Sequence, residues 1–174
     1  MKQFILGLDI GYSNLKIAMG FKGGHVTTTV LPVGAGPLAL MPQQLTGGEG
    51  NCIQVVIDDE KWVAGVEPDR LQGWNRELHD DYPATKPYKA LFYAALLLSE
   101  QKEIDVLVTG LPVSQFMNPE LREALKKRLE GEHQITLKRS VTVKSVVVVP
   151  QPAGAYMDIV SSTKDEGLLE VLRE

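Results

Sequence analysis

The sequence predicts an α/β domain in which a mixed β-sheet packs against helices. Three observations carry that reading. Apolar segments of strand length open the chain, and strand-like and helix-like segments alternate after them. Hydrophobic residues make up 44% of the 174 positions against 23% charged, a balance that suits one globular domain with a real core.

Residues 4–10 and 15–20 are apolar runs separated by the turn formers Gly11-Tyr12-Ser13-Asn14, which predicts two antiparallel strands. Residues 25–33, rich in Val and Thr after Gly23-Gly24, complete a three-stranded meander. Residues 34–51 turn to Gly, Pro and Gln and read as a long loop with one helical turn. Residues 53–57 and 62–64 form a small hairpin around Asp58-Asp59-Glu60-Lys61, and the polar, proline-punctuated residues 67–87 form a surface excursion. Residues 34–87 are therefore a loop-rich insertion within a domain of residues 1–160.

A helix follows, with Thr85 as cap, Pro87 in the first turn, and Tyr88, Leu91, Phe92, Ala95 and Leu96 at helical spacing as far as about Gln101. Residues 104–109, stopped by Gly110-Leu111-Pro112, have the pattern of a strand buried on both faces. Asn118 before Pro119-Glu120 starts a second helix with Leu121, Ala124, Leu125 and Leu129 on one stripe, and Gly131 ends it. Residues 134–138 and 141–149 are two further strands, the valine run of the second implying a central sheet position. After Pro150 a helix begins at Gln151 and reaches about Val160, and residues 161–174 form a polar, weakly helical tail.

A net charge of −4 lacks the basic excess that phosphate-backbone binding requires, which argues against direct contact with nucleic acid. The amino terminus goes from one lysine into a short apolar run cut by Asp9, unlike a signal peptide, and no apolar run approaches membrane-spanning length. The single cysteine, Cys52, excludes an internal disulfide and suits a reducing compartment, so the expected location is the cytoplasm.

The strongest chemical signal is Asp9-Ile10-Gly11-Tyr12-Ser13-Asn14-Leu15-Lys16. Backbone N–H groups of a tight turn can converge on an anion, Ser13 can add a hydroxyl, and Lys16 can reach a phosphate as a point charge. Asp9 at a strand end can hold Mg²⁺ through its waters. An ordinary turn with a capping aspartate and a surface lysine has the same pattern, and the residues leave both readings open. Gly34-Ala35-Gly36-Pro37-Leu38-Ala39 fits a dinucleotide-binding pattern, but Pro37 and Pro42 leave no room for the crossover helix that such a unit needs. His25, His79 and His133 fall in separate elements. The acidic groups at residues 58–60 and 79–81 read as solvated turn charge, and Trp62 and Trp74 as packing residues.

Three stretches carry a resemblance. Residues 9–16, quoted above, resemble the first phosphate loop of the actin, sugar kinase and heat-shock chaperone superfamily. Ile104-Asp105-Val106-Leu107-Val108-Thr109-Gly110-Leu111-Pro112-Val113 is similar to the strand and turn after the long helix of ParM/StbA-type plasmid-segregation actins. Gln134-Ile135-Thr136-Leu137, residues 141–149 and Pro150-Gln151-Pro152-Ala153-Gly154-Ala155 resemble the hairpin and the connecting helix start of that family. The order is right over most of the chain, and the nearest likeness is to the PRTRC-system protein D branch.

The resemblance implies an RNase H-like domain, a mixed five-stranded sheet with flanking helices, that forms the first half of an actin-like ATPase fold. It implies ATP or GTP with Mg²⁺. Asp9 is the implied Mg²⁺-associated carboxylate, Gly11, Tyr12, Ser13 and Asn14 the turn around the β- and γ-phosphates, and Lys16 the phosphate-contacting cation. Gln151 matches the position that orients the attacking water; on its residues alone it is a helix-start residue between two prolines. A glutamine there positions water but is a poor base, which implies slow hydrolysis. The implied partners are further copies in a filament and an adaptor protein bound to plasmid DNA. In that family a second domain supplies another phosphate loop; residues 161–174 lead toward it, and the half present is expected to bind nucleotide weakly without turning it over. Half of a sugar or acid kinase of the same superfamily, or a non-catalytic interaction domain, are the alternatives.

Overall fold

A computed structural model describes residues 2–42, 52–73 and 81–153. Trp74, His79, Asp80, the rest of the helix expected to reach Val160, and the tail lie outside the described residues. The expected meander is present as β1 (Phe4–Ile10), β2 (Asn14–Phe21) and β3 (Thr27–Pro32), antiparallel in succession. In β1, Phe4, Leu6, Leu8 and Ile10 are buried, and Ile5, Gly7 and Asp9 alternate with them on the other face. β8 (Val106–Leu111) pairs parallel with β1, and β11 (Val146–Pro150) parallel with β8. The result is the expected mixed five-stranded sheet, in the order β11-β8-β1-β2-β3.

α1 (Lys86–Leu98) starts where the sequence places it: Pro87 sits in the first turn and the Thr85 hydroxyl accepts from the Tyr88 amide at 3.3 Å. Tyr88 and every residue from Ala90 to Leu96 are buried, so the helix is apolar all round. It lies between the five-stranded sheet and a smaller one made of β4 (Gly34–Pro37), β6 (Glu60–Val66) and β5 (Ile53–Ile57). A third sheet joins β7 (Glu103–Ile104), β10 (Arg139–Val143) and β9 (Gly131–Thr136). After β8 come the short α2 (Val113–Phe116) and then α3 (Pro119–Leu129), where Asn118 Oδ1 accepts from the Glu120 amide at 2.9 Å.

The structure differs from the sequence reading in several places; α2 was not expected, and β9 spans Gly131–Thr136 instead of residues 134–138. Residues 34–37, expected in a loop, are a strand paired with β6, and Gly34 is required there because a Cβ would lie 2.2 Å from the Val66 carbonyl oxygen. The β5–β6 hairpin is longer than expected; Asp58 and Asp59 both have positive φ in its two-residue turn, the conformation of a primed turn. The single strands expected at residues 104–109 and 141–149 are each divided, at Asp105 and at Lys144-Ser145, where the chain passes from the third sheet into the five-stranded one. β11 lies at an edge rather than in the centre, with Val146 and Val148 inward and Val147 exposed, and β8 buries Leu107, Thr109 and Leu111 while Val106, Val108 and Gly110 are half-buried. A valine run records burial of one face and β-propensity; it does not record how many neighbours a strand has.

Candidate functional site

The carboxyl ends of β1 and β8 and the end of β11 meet at one rim of the five-stranded sheet. Gly11, Tyr12 and Ser13 connect β1 to β2 there, and the turn is closed by the Gly11 amide donating to the Asn14 carbonyl at 3.1 Å. Asp9 and Lys16 are cross-strand partners on the face opposite the buried leucines, with Nζ 3.5 Å from Oδ2. Both side chains are largely open, at 43% and 61% exposed. A surface pair of this kind contributes about 0–1 kcal/mol, so either partner can change its contact at little cost.

Gln151 reaches the same rim from β11. Residues 151–153 are helical, and the Gln151 side chain passes over Gly110, where a Cβ would meet its Cγ at 3.0 Å. A cavity of about 320 Å³ is lined by Asp9, Gly11, Tyr12, Tyr82, Gln115 and Gln151, among others. On the other side of Asp9 a second hollow of about 390 Å³ takes in Lys16, Gly110 and Gln151. Asp9 is the one carboxylate lining either cavity among the described residues. Asp9, Gly11, Tyr12, Lys16 and Gln151, chosen from separated stretches of sequence, are thus brought together around adjoining spaces. Ser13 and Asn14 are exposed on the turn and line neither.

The donor set has a definite chemistry. A lone carboxylate with room beside it can hold a hydrated Mg²⁺, and a lysine across the strand from it can take a phosphate oxygen. A helix-start glutamine lining the same cavity can orient a water but cannot deprotonate it.

The sequence reading missed Tyr82 and Gln115 in the cavity wall, and placed Tyr88 there only as a core residue of α1. Tyr88 is 4% exposed, and burial pushes its phenol pKa up to about 12. Thr109 Oγ1 is buried without closing a hydrogen bond of its own among the described residues. Tyr82 stands in a three-residue 3₁₀ turn, Tyr82–Ala84, immediately before α1. No local sequence signal marked Tyr82, because its contact with Tyr12 joins segments 70 residues apart.

No curated protein matches the chain. Among solved structures, the apo pSK41 ParM protein superposes with a TM-score of 0.68 at 19% identity, covering 91% of this chain and 53% of its own. A ParM from Clostridium botulinum, solved as a 15-stranded filament, gives 0.63 at 20% identity with 93% and 52% covered. The ParM of Bacillus thuringiensis with AMPPNP gives 0.54 at 12% identity with 84% and 45% covered. The chain spans about half the length of these proteins, and at such identities the likeness fixes the fold as actin-like. The model of the actin-like protein N-terminal domain matches residues 7–154, and the chain belongs to that family.

Proposed function

We propose that this chain is the first half of an ATP-binding, actin-like filament protein that segregates plasmid or other DNA in the cytoplasm. The observation that carries the reading is the cross-strand pair Asp9 and Lys16 flanking a three-residue turn, with Gln151 delivered beside them by a different strand. Asp9 would hold Mg²⁺ through water, the turn from Gly11 to Asn14 would receive the β- and γ-phosphates, and Lys16 would leave Asp9 for a phosphate oxygen. Gln151 would orient the attacking water in the full-length protein, where hydrolysis would be slow for want of a base. The family match and the ParM filament and AMPPNP-bound structures support self-assembly and adenine nucleotide as ligand. An adaptor bound to plasmid DNA would make the link to DNA, consistent with the net charge of −4.

Mg-ATP titration of the chain, read by thermal stability and by amide chemical shifts, tests the reading. A ligand that binds only the folded state must raise the melting temperature. The expected result is a Mg²⁺-dependent rise with shifts centred on residues 9–16 and 151. Shifts absent from these residues at saturating nucleotide would sink it.

A further inference from the structure

The β1–β2 turn, closed by the Gly11 amide on the Asn14 carbonyl, carries a large aromatic side chain that is 45% exposed. That side chain belongs to a stack. The Tyr12 ring lies 5.8 Å from the Tyr82 ring at 34°, and the Tyr82 ring lies edge-on to the Tyr88 ring at 5.5 Å and 90°. The innermost ring is buried in the core, and all three line the 320 Å³ cavity. Tyr82 is anchored at its own backbone: its carbonyl accepts from the Thr85 amide at 3.0 Å and from the Thr85 hydroxyl at 2.8 Å, and that hydroxyl also caps α1. The middle ring is therefore fixed to the start of a buried helix, and the outer ring, on the turn, rests against it.

We propose that Tyr82 is a positioning residue for the β1–β2 turn: its ring clamps the Tyr12 ring and so holds residues 11–14 in the shape that receives phosphate. The proposal rests on the phosphate reading of that turn. It adds that the segment before α1, distant in sequence, sets the geometry of the turn. Aromatic pairs attract at centroid separations of about 4.5–7 Å; both steps fall in that range, the inner one edge-on and the outer one tilted. A preformed turn binds an anion without first being ordered, so loosening it weakens affinity even though no ligand contact is deleted.

The test compares the full chain with Tyr82→Ala, Tyr82→Phe and Phe21→Ala. The last breaks an edge-on pair of the same kind with Phe4, centroids 5.1 Å apart, at the other end of the sheet. Two quantities are read by ¹⁵N NMR: order parameters of the residue 11–14 amides without ligand, and Mg-ATP affinity from the shifts of those amides. Tyr82→Ala is expected to lower the order parameters and weaken Mg-ATP by about three- to tenfold, the worth of one aromatic pair. Tyr82→Phe keeps the ring and should keep both quantities, and Phe21→Ala should alter neither. Unchanged order parameters in Tyr82→Ala overturn the proposal, as does an equal loss of affinity in Phe21→Ala, which would make the effect one of global stability. Should Mg-ATP leave the wild-type turn unshifted while Tyr82→Ala still loosens it, the proposal falls through the phosphate reading and not through the clamp.

Discussion

An aspartate–lysine pair stands at each end of the central strands of the five-stranded sheet. At the turn end, Asp9 and Lys16 meet at 3.5 Å, both well exposed. At the opposite end, Asp105 accepts from Lys144 Nζ at 2.8 Å and from the Phe4 amide at 2.7 Å, and Lys144 also pairs with Glu103. The Asp105 carboxyl is held below its ordinary pKa, first by the hydrogen bond from Lys144 and next by the Phe4 amide, and Lys144 is raised in turn by Asp105 and then Glu103. Identical residue types thus serve two ends. One pair is satisfied from several directions and fastens β1 to the neighbouring strand; the other, among the described residues, is an ion pair of two exposed groups that a ligand would displace at little cost. Among the described residues, what separates the structural pair from the pair proposed to meet phosphate is the number of partners each group has, not its identity.

The change expected to do most damage removes the support common to both ends. Leu107, fully buried on β8 between them, contributes to a close-packed core, and Leu107→Ala should cost about 2–5 kcal/mol, read as a lower urea midpoint. A loss under about 1 kcal/mol would mean that the ends are held by separate cores. The next experiment separates the pairs. Lys16→Ala should weaken Mg-ATP by about tenfold or more, the worth of a charged hydrogen bond, with its melting temperature kept. Lys144→Ala should do the reverse, and an exchange of the two outcomes would break the comparison.

Acid sharpens the contrast. Because the folded pKa of Asp105 lies below its unfolded value, its contribution is complete above the unfolded pKa, about 3.9, and is lost as pH falls through the folded value. Stability measured from pH 6 down to pH 2 should therefore decline less steeply in Asp105→Asn than in the wild type. Lys144 acts at the other limit: its raised pKa gives a contribution present below about 10.4 that disappears as pH rises through the folded value. The smallest effect belongs to Asp9→Asn, which should change stability by less than about 1 kcal/mol while removing the Mg²⁺ dependence of ATP binding.

Local chemistry was legible in the sequence where one short segment determines it. The Gly11-Tyr12-Ser13-Asn14 turn between two antiparallel strands and the Thr85 and Asn118 caps all follow from neighbouring residues, and the structure has them. The sheet assignment of residues 103–111 and 139–150 was not legible, because a strand's pattern reports which face is buried and not which sheet it joins. Gly34–Pro37 was hidden for a related reason: glycine and proline argue for a loop, and only the approach of the Val66 carbonyl explains a strand built from them. At the candidate site, the residues on the hairpin were visible as a motif. Tyr82 was not, since its contribution comes from a contact between segments 70 residues apart in sequence.

The two strand pairs that cross from the third sheet to the five-stranded one share a register. Glu103 stands opposite Thr142 and Leu111 opposite Pro150, each pair 39 residues apart, and the Lys144 amide donating to Ile104 and the Leu107 amide donating to Ser145 carry the ladder across both breaks. Residues 103–111 and 142–150 are therefore one parallel ribbon that serves two sheets. Because side chains alternate, a residue gained or lost in one strand of the ribbon would turn Leu107 and Leu111, or Val146 and Val148, out of the core. Sequence drift in this region is thus confined to substitution: a length change on one side is viable only with a matching change on the other, so the ribbon's length should diverge more slowly among relatives than the loops that flank it.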